Sequence, residues 1–245
     1  MKKLICAAAM SALCATVFAI ESENIVGYQQ ITVPTGYSLF TITFSGLTSE
    51  TYDIQDIVPY QSGATLTSNA TIGIQKMDNG GAYLQLYVYR ANKGGWCKGL
   101  TLQSRGAVTF ANGEAMCINN TSGAEIQLQV SGQVVLEPWS AELGTGYSLI
   151  GNMTPAQIDI QDIVPYDLDG NAITTPAVVG IQKMDSTGAY LQLYVYRANK
   201  GGWCKGLTYQ APGTITFEPG ESACLNNTSG AGIKLKFKEP VASGN

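Results

Sequence analysis

Histidine is absent from the chain, which removes the imidazole base of the usual catalytic triads and a common metal ligand. Carboxylates are the next candidates for acid–base work. The closest repeated pair is Asp53 with Asp56, and it recurs as Asp159 with Asp162. Three residues apart at the start of a short helix, they are accounted for by attraction to the positive end of the helix dipole. The stretch Asp167-Leu168-Asp169-Gly170-Asn171 has the flavour of a calcium loop. It lacks the distal Glu, however, and the first copy has Gln61-Ser62-Gly63 in its place, so it reads as a turn. These residues predict no catalytic site, no metal and no cofactor.

Cysteine and aromatic spacing is more informative. Cys97 and Cys117 are 20 apart, as are Cys204 and Cys224. In an exported protein this predicts Cys97–Cys117 and Cys204–Cys224 disulfides, each adding about 3 kcal/mol by closing a loop. A zinc site is disfavoured, because no Cys-x-x-Cys pair and no histidine accompanies them. Along the segment from Tyr83 to Arg90, strand alternation sends Tyr83, Gln85, Tyr87 and Tyr89 to one side and Leu84, Leu86, Val88 and Arg90 to the other. With the aliphatics facing the core, Tyr87, Tyr89 and Trp96, and again Tyr194, Tyr196 and Trp203, form two ligand surfaces. Amphipathic rings beside Gln85, Asn92 and Lys93 suit a sugar face or another protein. The alternative turns the tyrosines against a second sheet.

These residues sit in a duplicated frame. The 21 residues Gly81–Thr101 recur unchanged as Gly188–Thr208, at an offset of 107. DIQDIVPY recurs at Asp53 and Asp159, GIQKMD at Gly73 and Gly180, and NNTSGA at Asn119 and Asn226. Each copy shows one helical signal. In the second copy, Thr154 as cap, Pro155, Gln157 and the Ile160/Ile163/Val164 face, stopped by Pro165, predict two to three helical turns. Ser49, the Ile54/Ile57/Val58 face and Pro59 do the same in the first. The remainder reads as strands broken by glycine-bearing turns such as Asp78-Asn79-Gly80-Gly81. The closing strands alternate cleanly. Gln127 and Gln129 in one copy are replaced by Lys234, Lys236 and Lys238 in the other, which suits either an exposed edge strand or ordinary solubility.

Met1-Lys2-Lys3, the apolar run Leu4–Phe18 and small residues at positions 17 and 19 predict a signal peptide over residues 1–19, cleaved before Ile20. Losing Lys2 and Lys3 takes the net charge from −4 to −6. An acidic chain without a basic cluster offers nucleic acid no electrostatic footprint, and no later stretch is long enough to span a bilayer.

Ile25-Val26-Gly27-Tyr28, Gly36-Tyr37-Ser38-Leu39, the Asp-Ile-x-Asp-Ile segment, the Tyr-Val-Tyr strands, the Gly-Trp turns and Asn112-Gly113-Glu114-Ala115 together resemble a class of uncharacterised secreted bacterial tandem-repeat β-domain proteins of the G-[WY]-[NS]-L … G-W … G-E-[AG] type. The resemblance covers nearly the whole mature chain. It implies export and a β fold, and no activity. The expectation is therefore a mainly β protein of two tandem homologous sandwich or barrel-like domains, residues 20–133 and 134–245, each with one short helix. It would be secreted or displayed on the cell surface and non-catalytic, serving structure or interaction. The alternative is bivalent carbohydrate binding, with a surface glycan or another extracellular protein as partner.

Overall fold

The computed structural model describes residues 26–46, 51–99, 105–111, 113–134, 140–154, 156–206 and 212–237. The expected signal peptide, Ser49, Pro155 and Lys238 lie outside them. The described chain is mainly β, arranged in several antiparallel sheets.

Strands of the first half are β1 (Val26–Val33), β2 (Gly36–Thr41), β3 (Phe44–Ser45), β4 (Thr51–Asp53), β5 (Val58–Gln61), β6 (Ala64–Thr65), β7 (Asn69–Gln75), β8 (Tyr87–Arg90), β9 (Gly95–Lys98), β10 (Thr109–Ala111), β11 (Ala115–Asn120) and β12 (Ile126–Val134). The second half supplies β13 (Ser140–Leu143), β14 (Gly146–Gly151), β15 (Ile158–Asp159), β16 (Ile163–Asp167), β17 (Val179–Gln182), β18 (Tyr194–Arg197), β19 (Gly202–Lys205), β20 (Thr216–Phe217), β21 (Ser222–Asn227) and β22 (Ile233–Phe237). One five-stranded sheet runs β2-β11-β7-β8-β9, and its counterpart runs β14-β21-β17-β18-β19. A second sheet, β1-β12-β5-β6 with β3 also on β12, is answered by β13-β22-β16.

Period-two alternation builds the core. Ile126, Leu128 and Val130 of β12 join Phe40, Ile72, Ile74, Met116 and Ile118 from the other sheet in one buried cluster. Ile233 and Leu235 of β22 join Ile150, Ile181, Ala223 and Leu225 in a second. Two sheets with apolar inner faces bury them against each other.

Three expectations need correction. Each expected helix is a single 3-10 turn, Ile54–Asp56 or Ile160–Asp162, and not two to three helical turns. The strand β5 or β16 begins right after it, at Val58 or Ile163, and Pro59 or Pro165 lies inside that strand. The caps are Asp53 and Asp159, whose carboxylates accept from the amides of Gln55 and Gln161 at 2.8 Å. The aspartates are expected only as partners of the helix dipole, with Ser49 and Thr154 as caps; Thr154 instead bonds Asn152 and Ala156. The lysine-bearing strand β22 is not an edge, because β13 and β16 pair with it on either side. Lys234 pairs with Glu142 at 2.9 Å, and Lys236 lies over the Tyr166 ring.

The third correction concerns the disulfides. Cys97 and Cys117, and likewise Cys204 and Cys224, are free and buried. Cys117 lies on β11 opposite Gln75, and Cys97 lies on β9 opposite Val88, so β7 and β8 run between them. Three strand spacings amount to about 14 Å, against the about 7 Å between Cα atoms that a disulfide tolerates. The second half repeats the arrangement through β17 and β18. A 20-residue spacing carries no information about how many strands intervene.

Candidate functional site

The duplicated aromatic block lies in the cores. Trp96 and Trp203 have no exposed surface, and Tyr89 and Tyr194 are buried. Tyr87 and Tyr196 pack half-buried against the same clusters. The alternation of the Tyr-Val-Tyr strands is as expected, but its sense is reversed. Val88 sits on the opposite face in a small cluster with Cys97, Leu86 and Ala70, and Leu84 is exposed. The six aromatic residues expected as ligand surfaces are therefore packing residues.

The local reason is a glutamine. Gln55 Nε2 donates to the carbonyls of Trp96 and Gly106 at 2.8 and 2.6 Å, and its Oε1 accepts from the Trp96 amide at 3.1 Å. Gln161 does the same for Trp203 and Gly213. The indole N–H groups donate to the carbonyls of Ile57 and Ile163 at 2.8 Å. Edge-on rings of Tyr89 and Tyr196 complete each set, 5.6 and 5.4 Å from the indoles. Sequence reasoning passed over these glutamines. Their signal was the unchanged Gln inside Asp-Ile-Gln-Asp-Ile, which an acid-centred reading treats as filler.

The candidate site lies where the two halves meet. The outward faces of β2, β11, β14 and β21 supply Leu39, Ala115, Cys117, Leu149 and Cys224 to a shared buried cluster, with Tyr37, Met77 and Met184 packed around it. The contacts come in matched pairs. Tyr37 N–H donates to Ser186 O at 2.8 Å, and Tyr147 N–H donates to Asn79 O at 2.9 Å. Phe40 bridges Glu221, and Glu114 bridges Ile150. The hydroxyls of Tyr83 and Tyr190 meet each other at 3.2 Å. Gly36 and Gly146 carry φ of +95° and +90°, and a Cβ at either would collide with the carbonyl of Ser186 or Asn79. The close approach therefore requires glycine twice.

Burial sets the electrostatics here. Cys117 is pushed up to about 11 by desolvation, and Cys224 is raised for the same reason. Tyr190 is pushed up to about 12, first by desolvation, and Tyr83 is raised further still by burial and its bond with Tyr190. Thiols and phenols here stay protonated at neutral pH, which suits packing and not nucleophilic attack. Beside this cluster a cleft of about 390 Å³ opens between the halves, lined by Gln29, Thr32, Tyr37, Lys183, Glu221 and Ser222. Lys183 and Glu221 form an ion pair at 2.5 Å, with the ammonium 4.9 Å from the centre of the Phe217 ring. Lys76, Glu114 and Phe110 repeat that arrangement. Among the described residues no three His, Cys, Asp or Glu side chains gather as metal ligands.

Comparison with protein-family models, with curated proteins and with solved structures finds no match to this chain.

Proposed function

We propose that this is an exported, non-catalytic structural or interaction protein of the cell surface or extracellular space, built from two duplicated β-domains docked face to face. The observation that carries this reading is the paired contact between the halves. It spends the repeated glycines, tyrosines and acidic turns on mutual docking, and the repeated tryptophans on core packing. Its thiols and phenols are held neutral by burial, and its lysines and glutamates are joined in ion pairs. Bivalent sugar binding through Tyr87, Tyr89, Trp96, Tyr194, Tyr196 and Trp203 loses its basis, because the tryptophans are wholly enclosed.

Fractionation of the producing cell, with N-terminal sequencing of the recovered protein, tests the reading. The expected result is protein in the surface or medium fraction beginning at Ile20. Protein retained in the cytosol with Met1 to Phe18 intact would overturn it.

A further inference from the structure

We propose that the sulfur cluster between the two halves is a binding site for Cu(I), held by Cys117, Cys224, Met77 and Met184. This inference does not depend on the structural role proposed above.

All four sulfurs belong to one cluster, two thiols buried and two thioethers packed against them. They come from corresponding positions, since Met77 and Met184 share the repeated GIQKMD and Cys117 and Cys224 are 107 apart. The two halves therefore bring one thiol and one thioether each to a common cluster. Cys224 Sγ lies 3.9 Å from Met77 Sδ, across the boundary between the halves. In a tetrahedral site with metal–sulfur bonds of about 2.3 Å, neighbouring sulfurs are separated by about 3.8 Å, so this pair already spans one edge. A donor set of thiolates and thioethers, with no imidazole and no carboxylate, is soft and selects Cu(I) over harder ions.

The surroundings agree. Leu39, Ala115 and Leu149 wall the cluster with apolar surface. The Tyr83 hydroxyl donates to Met184 Sδ at 3.5 Å and meets the Tyr190 hydroxyl, a polar shell of the kind that orients metal ligands. Tyr83 and Tyr190 are 36% and 40% exposed, so the hydroxyl pair that covers the sulfurs borders solvent. Ordinary packing explains a buried cysteine or a methionine singly. It does not require thiol, thioether and phenol to converge from both halves. Each thiol that ligates gives its proton to solvent.

The test uses the full mature chain, reduced and free of metal, titrated anaerobically with Cu(I) in competition with bicinchoninate. One equivalent should be withheld from the chelator, with only sulfur in the copper coordination shell by X-ray absorption and a higher melting temperature. Met77→Leu with Met184→Leu conserves volume, so the metal-free melt should hold while affinity drops by about tenfold or more. Cys117→Ala with Cys224→Ala should abolish binding, and Cys97→Ala with Cys204→Ala should leave it intact. Failure to withhold Cu(I) would overturn the proposal. So would binding that survives the loss of Cys117 and Cys224, or binding that disappears with Cys97 and Cys204.

Discussion

Gln55 shows how a single side chain fixes a turn. Its amide satisfies two carbonyls and one amide N–H around Trp96, and no smaller side chain reaches all three. Gln55→Ala leaves those groups without their partner in a partly buried place, where each costs about 1–3 kcal/mol. We expect a loss of at least about 2 kcal/mol on that scale, read from urea unfolding, and the same for Gln161→Ala. Trp96→Ala should cost about 3–5 kcal/mol, as emptied aromatic sites do. If Trp96→Ala melts with the parent chain, the indole is not the core residue its burial implies. Buried acids make a pH prediction. Cys117 and Tyr52 are pushed up to about 11 and about 12 by desolvation. Unfolding returns them to about 8.5 and 10, so between those values the unfolded chain binds fewer protons than the folded one. The contribution of these two groups is then flat below about pH 8 and falls as pH rises towards 12. The urea midpoint against pH checks this, and Cys117→Ser should flatten the lower part of the fall. The alternation of Tyr87, Val88 and Tyr89 was legible in the sequence, but which side faced inward was not. Val88 is buried as well, so both faces of that strand carry apolar residues and hydrophobicity cannot choose between them.

Short elements defeated the sequence where long-range pairing overrides local signals. The Asp-Ile-Gln-Asp-Ile-Val-Pro segment has a helical cap and a helical face, yet only three residues turn. Ile57 is then pinned by its carbonyl bond to the Trp96 indole, and Val58 enters the ladder with Gln129. The expected caps, Ser49 and Thr154, gave way to Asp53 and Asp159, which read in the sequence only as partners of the helix dipole. Asp159→Ala should cost about 1 kcal/mol, the usual loss for a cap, visible as a small drop in melting temperature. The lysines of β22 misled because an outward lysine looks the same on a central strand as on an edge. Here Glu142 and the Tyr166 ring occupy them. Exposed pairs of this kind contribute about 0–1 kcal/mol. Lys234→Gln should therefore leave both the melt and the oligomeric state of the parent chain unchanged, whereas aggregation would mean that the strand edge is open after all.

At the scale of the molecule, the repeat raises the expectation that each half closes its own core; buried residues of the first half gather in one cluster and those of the second half in another. What the repeat could not reveal is that β11 and β21 are buried on both faces. Met116 and Ile118 point into one core, while Ala115 and Cys117 point to the other half. A disulfide reading of the cysteines obscured that second face. The contact is nearly self-complementary: Tyr37 bonds Ser186 as Tyr147 bonds Asn79, and Tyr83 meets its own counterpart Tyr190. Such an isologous patch is what a twofold dimer uses. Residues 134–245 expressed alone should therefore fold around Ile150, Ile181, Leu225 and Leu235, and should then pair with a second copy through the uncovered face of Leu149, Cys224, Met184 and Tyr190. Light scattering on the reduced fragment should report a dimer with a cooperative melt. Leu149→Lys should convert it to a folded monomer, because a charge placed in that apolar seam is costly only when the seam is closed. An unfolded fragment would mean that the halves share one core. A monomer from the unmutated fragment would mean that the paired contacts hold only because the chain tethers them, with the high effective concentration that a covalent link supplies.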